Sequence, residues 1–201
     1  MKQYSIQSGL LDRQRTFIIS PDYIAFDNND LKSAGLTRIN KPNIKDIKLL
    51  IEPIQWDLFY VGRKYTISVK DNDNKVLTIC MKNFFGLRKH YHQIFQEAVE
   101  LIWKYYLTDI VDQYLARFYE DLETLHVGKF ILDQQGIRIA GGTLQLNWLE
   151  TELKIYTRFF VLSNINKPED HVYVDYNDWH TEILYSLTKT ILKERHDSKK
   201  S

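Results

Sequence analysis

The spacing of apolar residues changes period along the chain, from two to about three and a half and back to two. In residues 15–26, Phe17-Ile18-Ile19 and Tyr23-Ile24-Ala25-Phe26 flank Ser20-Pro21-Asp22, which predicts two short strands around a turn. Residues 27–42 are polar, with Asn28-Asn29-Asp30, Gly35 and Pro42, and read as an exposed loop. A strand is expected over 44–54, carrying Ile44, Ile47, Leu49, Leu50 and Ile51 and closed by Pro53. Within 58–81, Tyr65, Ile67 and Val69 alternate with Lys64, Thr66, Ser68 and Lys70. Asp71-Asn72-Asp73-Asn74 follows with residues that tolerate left-handed turn geometry, so a hairpin is expected there.

The helical period begins after the hairpin. Tyr91, Ile94, Phe95, Ala98, Ile102 and Tyr105 recur at three and four residues, the spacing of an amphipathic helix, with Asn83 as its cap. Leu107, Val111, Tyr114, Phe118, Leu122 and Leu125 continue the period up to Gly128, a C-cap signal. Thr108-Asp109 either caps a second helix or lies within a single one. The strand pattern then returns. Phe130-Ile131-Leu132 and Ile137-Arg138-Ile139 flank the polar turn Asp133-Gln134-Gln135-Gly136. A short strand at 146–149, a long one over 153–162, a turn at 164–170 with Pro168 and a strand over 171–176 follow. Asn177 or Asp178 caps a last helix with Trp179, Ile183, Leu184, Leu187 and Ile191 on one face, and 194–201 reads as a polar tail.

Both halves thus run in one order: hairpin, further strands, polar turn, amphipathic helix. Tyr91-His92 and Trp179-His180 even match near the two helix starts. A short antiparallel barrel closed by one C-terminal helix resembles the pleckstrin-homology-like fold, and the chain is similar to bacterial tandem proteins of that type. The resemblance implies an α+β protein of two small antiparallel β-barrel or bent-sheet domains, each closed by a C-terminal amphipathic helix. Domain one would span 1–107, a helical connector 108–128, and a shorter second domain 129–201, ending in the polar tail. The plain alternative is one α+β domain with a central helical hairpin.

Composition narrows the function classes. With 44% hydrophobic and 26% charged residues, the chain of 201 residues has the make-up of a globular protein, and 13% aromatic content favours strands and large packed surfaces. A net charge of +1 gives no nucleic-acid signal. One cysteine, Cys80, excludes an intrachain disulfide. The start of the chain, 1–14, has no continuous apolar core and no stretch reaches membrane-span length, so a cytoplasmic protein is expected. There is no GxSxG, P-loop or GxGxxG sequence. His90-Tyr91-His92 places its imidazoles on opposite sides of a helix, unlike an i,i+4 metal pair. Gly141-Gly142-Thr143 reads as a tight turn, and Cys80, between Ile79 and Met81, as a packed strand residue. No catalytic set, metal site or cofactor is expected.

Two groups remain. Residues 1–107 hold sixteen basic and eleven acidic residues, whereas 108–201 hold eleven and fifteen. In the basic half, Lys45, Lys48, Arg63, Lys64, Arg88 and Lys89 form a candidate anion-binding rim. Pleckstrin-type recognition of inositol phosphates places basic residues around the first hairpin, and Ser20-Pro21-Asp22 carries none. The helical region holds Trp103, Tyr106, Tyr114 and Tyr119 as candidate interaction aromatics, because rings on all sides of a helix need more than one neighbour. The expected function is a non-enzymatic binding module for a protein or peptide partner, with self-association as a further use of the aromatic surface. The alternatives are an enzyme or small-ligand protein with a site gathered from dispersed residues, such as histidines with Arg88 or Arg158, and a membrane-surface binder of phosphoinositides or other anionic lipids.

Overall fold

Alternation at the start of the chain builds a strand. Tyr4 and Ile6 are buried while Gln3 and Ser5 face out along β1 (Lys2–Ile6). The computed structural model describes residues 1–7, 12–28, 35–85 and 90–198. It divides into two compact units, Met1–Thr108 and Asp109–Ser201.

In the first unit, β1 pairs with β2 (Arg15–Ile19), and β3 (Tyr23–Phe26) and β4 (Thr37–Asn40) complete a four-stranded antiparallel sheet in the order β1-β2-β3-β4. A single 3-10 turn, Lys41–Asn43, has Pro42 where its fixed φ fits, and leads into β5 (Ile44–Trp56). β6 (Phe59–Asp71) and β7 (Val76–Phe84) complete a three-stranded antiparallel sheet with β5 at one edge. Helix α1 (His90–Ile102) buries Tyr91, Phe95, Ala98 and Ile102, at the spacing read from the sequence. The core beside it contains Phe17, Ile19, Ile24, Ile67, Val69, Ile79 and Met81; each such side chain contributes about 1.5–3 kcal/mol by leaving water.

The second unit repeats the order. β8 (Leu125–Val127), β9 (Phe130–Leu132), β10 (Gly136–Ile139) and β11 (Gln145–Asn147) form a four-stranded antiparallel sheet. A 3-10 turn, Trp148–Glu150, leads into β12 (Thr151–Ile155), β13 (Phe159–Asn164) and β14 (His171–Asp175), a three-stranded antiparallel sheet. Helix α3 (Thr181–Ser198) closes the series and buries Ile183, Leu184, Leu187 and Ile191. Both units therefore run through four strands, a 3-10 turn, three strands and a helix. Each sheet takes its strands from one unit, and none of the four sheets among the described residues closes into a barrel, contrary to that expectation.

Several boundaries differ from the sequence reading. β1 was not expected, and β4 lies in what read as a loop over 27–42. β5 does not stop at Pro53, because an edge strand tolerates a residue without an N–H donor. The long strand expected over 153–162 is two strands, turning between Ile155 and Phe159 through Tyr156-Thr157-Arg158. Asn83 lies in β7 rather than capping α1. The central backbone stays helical from His90 to Tyr119: α1, a π-helical turn over Trp103–Leu107, and α2 (Thr108–Tyr119). Thr108 donates its hydroxyl to the Trp103 carbonyl, at 2.9 Å, at the end of the π turn.

The expected connector 108–128 does not hold together as helix. Leu122 adopts a left-handed φ of 53°, after which Leu125–Val127 pairs with β9. Leu125 continues the three-residue spacing from Leu122, which masked the two-residue spacing of Leu125 and Val127 that a strand requires. Gly128 is left-handed, φ 60°, as a C-cap would be, but it turns the β8–β9 hairpin. Residues 194–198, read as tail, continue α3.

Candidate functional site

The β5–β6 hairpin turns through Trp56-Asp57-Leu58-Phe59, with Trp56 opposite Phe59 in the register. Asp57 takes a left-handed φ of 53°, which a short polar side chain tolerates. The other turn residues are large and apolar: Trp56 is 72%, Leu58 91% and Phe59 72% exposed, and Tyr60 is exposed beside them. The last residue of β7 pairs with Gly62, so the hairpin tip runs past β7 as a two-stranded ribbon.

Behind this tip, the ends of β6 and β7 and the first turn of α1 line a groove of about 500 Å³. Its wall contains Tyr60, Arg63, Tyr65, Asn83, Phe85 and His92. Gly62 lies in it as well, and a Cβ there would run into the backbone carbonyl oxygen of Asn83. Gly62→Ala is therefore expected to cost about 1–3 kcal/mol of stability, measured by denaturant titration; an unchanged midpoint would show that the strands separate freely at this point.

The chemistry of the groove is mixed. Tyr65 is buried and packs against Phe95 at 5.3 Å and His92 at 5.8 Å between ring centroids. Burial raises its phenol above the ordinary value, opposed by the Arg63 charge. Arg63 donates from Nε to the Tyr60 hydroxyl at 2.8 Å, which raises the guanidinium further above its already high value. No carboxylate among the described residues forms an ion pair with Arg63. Asn83 Oδ1 and His92 Nδ1 are both buried with no hydrogen-bond partner, a cost that a ligand offering polar atoms relieves. The groove therefore combines a permanent cation, two unsatisfied polar atoms and aromatic walls.

The equivalent hairpin of the second unit, β12–β13, is also bulky. Ile155 is 60% and Tyr156 48% exposed, and Arg158 is exposed in the turn. Tyr156 stacks on Phe159 at 4.7 Å, and Phe159 meets Tyr173 of β14 at 4.5 Å.

Of the six residues of the expected anion rim, the four that are described do not come together. Arg88 and Lys89 lie outside the described residues. Arg63 and Lys64 are neighbours on β6 and so face opposite sides of the sheet. Lys64 pairs with Glu52 at 2.9 Å, which raises the ammonium and cancels its charge locally. Lys45 donates to Asn74 Oδ1 at 3.0 Å, while Lys48 lies opposite Ser68, four residues along β5 from Glu52. Of the four rim residues that are described, only Arg63 belongs to the groove. Among the aromatics, Tyr106 is no surface residue: it is buried and donates its hydroxyl to the Ser20 carbonyl. Trp103, Tyr114 and Tyr119 are partly buried; Tyr114 lies under the Arg117 guanidinium, and Tyr119 meets Phe118 edge-on at 5.0 Å.

Among the described residues no group of three His, Cys, Asp or Glu side chains is placed to hold a metal ion. Burial pushes the Cys80 thiol up, away from the thiolate a nucleophile needs. No described helix is long and apolar enough to cross a membrane. The site residues missed in the sequence are Trp56, Leu58 and Phe59 of the tip and Tyr60, Asn83 and Phe85 of the groove; the available signal for the tip was an apolar run, Trp56 to Tyr60, broken only by Asp57 and lacking glycine, proline or asparagine. Comparison of the chain with protein-family models, with curated proteins and with solved structures finds no match.

Proposed function

We propose that the chain is a non-enzymatic binding module of two pleckstrin-homology-like units that recognises a protein or peptide at the Trp56–Tyr60 tip and the groove behind it. The order of four strands, 3-10 turn, three strands and helix in each unit supports the fold reading. The binding reading rests on the turn itself. Hairpin turns favour glycine, asparagine and aspartate, yet this one exposes tryptophan and phenylalanine, aromatic types enriched at interfaces, with an apolar leucine between them. Rules of local structure are broken most often where function demands it.

A peptide answers the groove better than a bilayer does. Backbone N–H groups suit Asn83 Oδ1, and an acidic side chain suits Arg63; hydrocarbon offers neither. Asp57 at the tip also disfavours an anionic lipid surface. Combining Trp56→Ser, Leu58→Ser and Phe59→Ser should lower recovery of a stoichiometric partner by about tenfold or more, with circular dichroism and Tm unchanged, since these side chains are exposed. Recovery indifferent to the tip overturns the reading. So does the absence of any partner together with vesicle sedimentation that rises with anionic lipid.

A further inference from the structure

A second, smaller hollow of about 260 Å³ lies between β1 and α1, away from the groove residues. Glu97 and Glu100, one helical turn apart, Leu101 and the rings of Tyr4 and Tyr105 line it, with Met1 and Lys2 at β1. Tyr4 is 6% exposed, and its hydroxyl is buried with no hydrogen-bond partner. The carboxylates of Glu97 and Glu100 lie close enough to add to burial in raising that phenol. The hollow thus carries a negative pair, a phenolic oxygen with free lone pairs and two aromatic walls.

The protein already places an ammonium there. Lys2 Nζ lies 3.2 Å from Glu97 and 5.9 Å from the centroid of the Tyr4 ring. Gln93 shares Glu97, donating to it at 3.2 Å, and Lys104 rests on Tyr105 at 5.7 Å. Glu100 forms no ion pair among the described residues. We propose that this hollow is a binding site for a primary alkylammonium group, which pairs with Glu97 and Glu100, donates to the Tyr4 hydroxyl and displaces Lys2. An alkyl stem suits the Leu101 and Tyr105 walls, and an ammonium suits aromatic faces through their quadrupole. A divalent metal ion is served poorly, because two carboxylates and a phenol leave most of its coordination unfilled.

The test is a titration of the full chain, followed by amide shifts in nuclear magnetic resonance, with matched sodium chloride as control. Cadaverine represents a free diamine and Nα-acetyl-lysine methylamide a lysine side chain of a partner; the tighter of the two identifies the source. Saturable shifts at Tyr4, Glu97, Leu101 and Tyr105 are expected. Glu100→Gln should weaken binding about fivefold, and Lys2→Ala, which removes the resident competitor, should tighten it about threefold. Both positions are exposed, so neither change threatens folding. Shifts no larger than those in sodium chloride for either amine, or saturation that both substitutions leave unaltered, overturn the proposal.

Discussion

Replacing Trp148 with alanine should lower the free energy of unfolding by about 4 kcal/mol. Trp148 is 1% exposed in the 3-10 turn between β11 and β12. Its indole edge meets Phe118 of α2 at 6.4 Å and 88°, and its N–H donates to the Asp133 carbonyl at 2.8 Å. Alanine leaves a large cavity where helix and sheet meet and strips that carbonyl of its partner. Trp148→Phe keeps most of the volume and loses the donor, so about 1–2 kcal/mol is expected. Trp56→Ala is the control: with 72% of its surface in water it should change stability by less than about 0.5 kcal/mol. Denaturant titrations of the three variants separate these outcomes. A cost for Trp148→Ala near that of Trp56→Ala would remove Trp148 from the core and with it the packing described for the second unit.

How legible the fold was depended on whether turns carried turn residues. Ser20-Pro21-Asp22, Asp71 to Asn74 and Asp133 to Gly136 were read in place, because each supplies residues that fit tight backbone geometry. The helix faces of α1 and α3 were legible because their apolar positions hold a single period for several turns. What failed was local. A strand as short as β4 places one apolar residue, Ile39, inward, which is too little for a pattern. Leu125 sits three residues after Leu122 and two before Val127, so it extends a helical spacing and opens a strand one. At the β12–β13 hairpin the chain reverses through Tyr156-Thr157-Arg158, which carry no turn signal, and at the β5–β6 hairpin Asp57 is the single turn residue among Trp56, Leu58 and Phe59.

The last of these misreadings concerns function as well as fold. The same hairpin in each repeat lacks ordinary turn chemistry and exposes apolar surface instead. Folding gains nothing from an exposed Leu58, and a two-stranded ribbon is marginal by itself. The candidate site was therefore legible only in part: Arg63 stood out as a charge, whereas Trp56 and Asp57 fell between the strand expected over 44–54 and the hairpin expected over 58–81. Lys64, next to Arg63 in the sequence, is separated from it by strand alternation, a geometric fact that charge counting does not contain.

Above pH 10 the protein should lose stability steeply, and the buried tyrosines set the sign. Burial, aided by the charges of Glu97 and Glu100, pushes Tyr4 up to about 12. Burial also raises Tyr106 and Tyr119. In the unfolded chain all three ionise near the ordinary value of about 10. Below that value both states hold these protons and the tyrosines contribute no pH dependence. Between about 10 and 12 the unfolded chain releases protons that the folded chain retains, so unfolding becomes easier as pH rises. Tyr4 alone should remove about 2 kcal/mol by pH 12, with Tyr106 and Tyr119 adding to it. Denaturant midpoints measured across this range, alongside tyrosinate absorbance, give the slope. Tyr4→Phe keeps the ring and discards a hydroxyl that the Glu97 carboxylate approaches without closing a well-formed hydrogen bond, so it should leave stability at pH 7 nearly unchanged and flatten the alkaline slope. Parallel slopes for Tyr4→Phe and the unaltered chain would mean that Tyr4 titrates in the folded state as it does in water, and that its hydroxyl is not enclosed between β1 and α1.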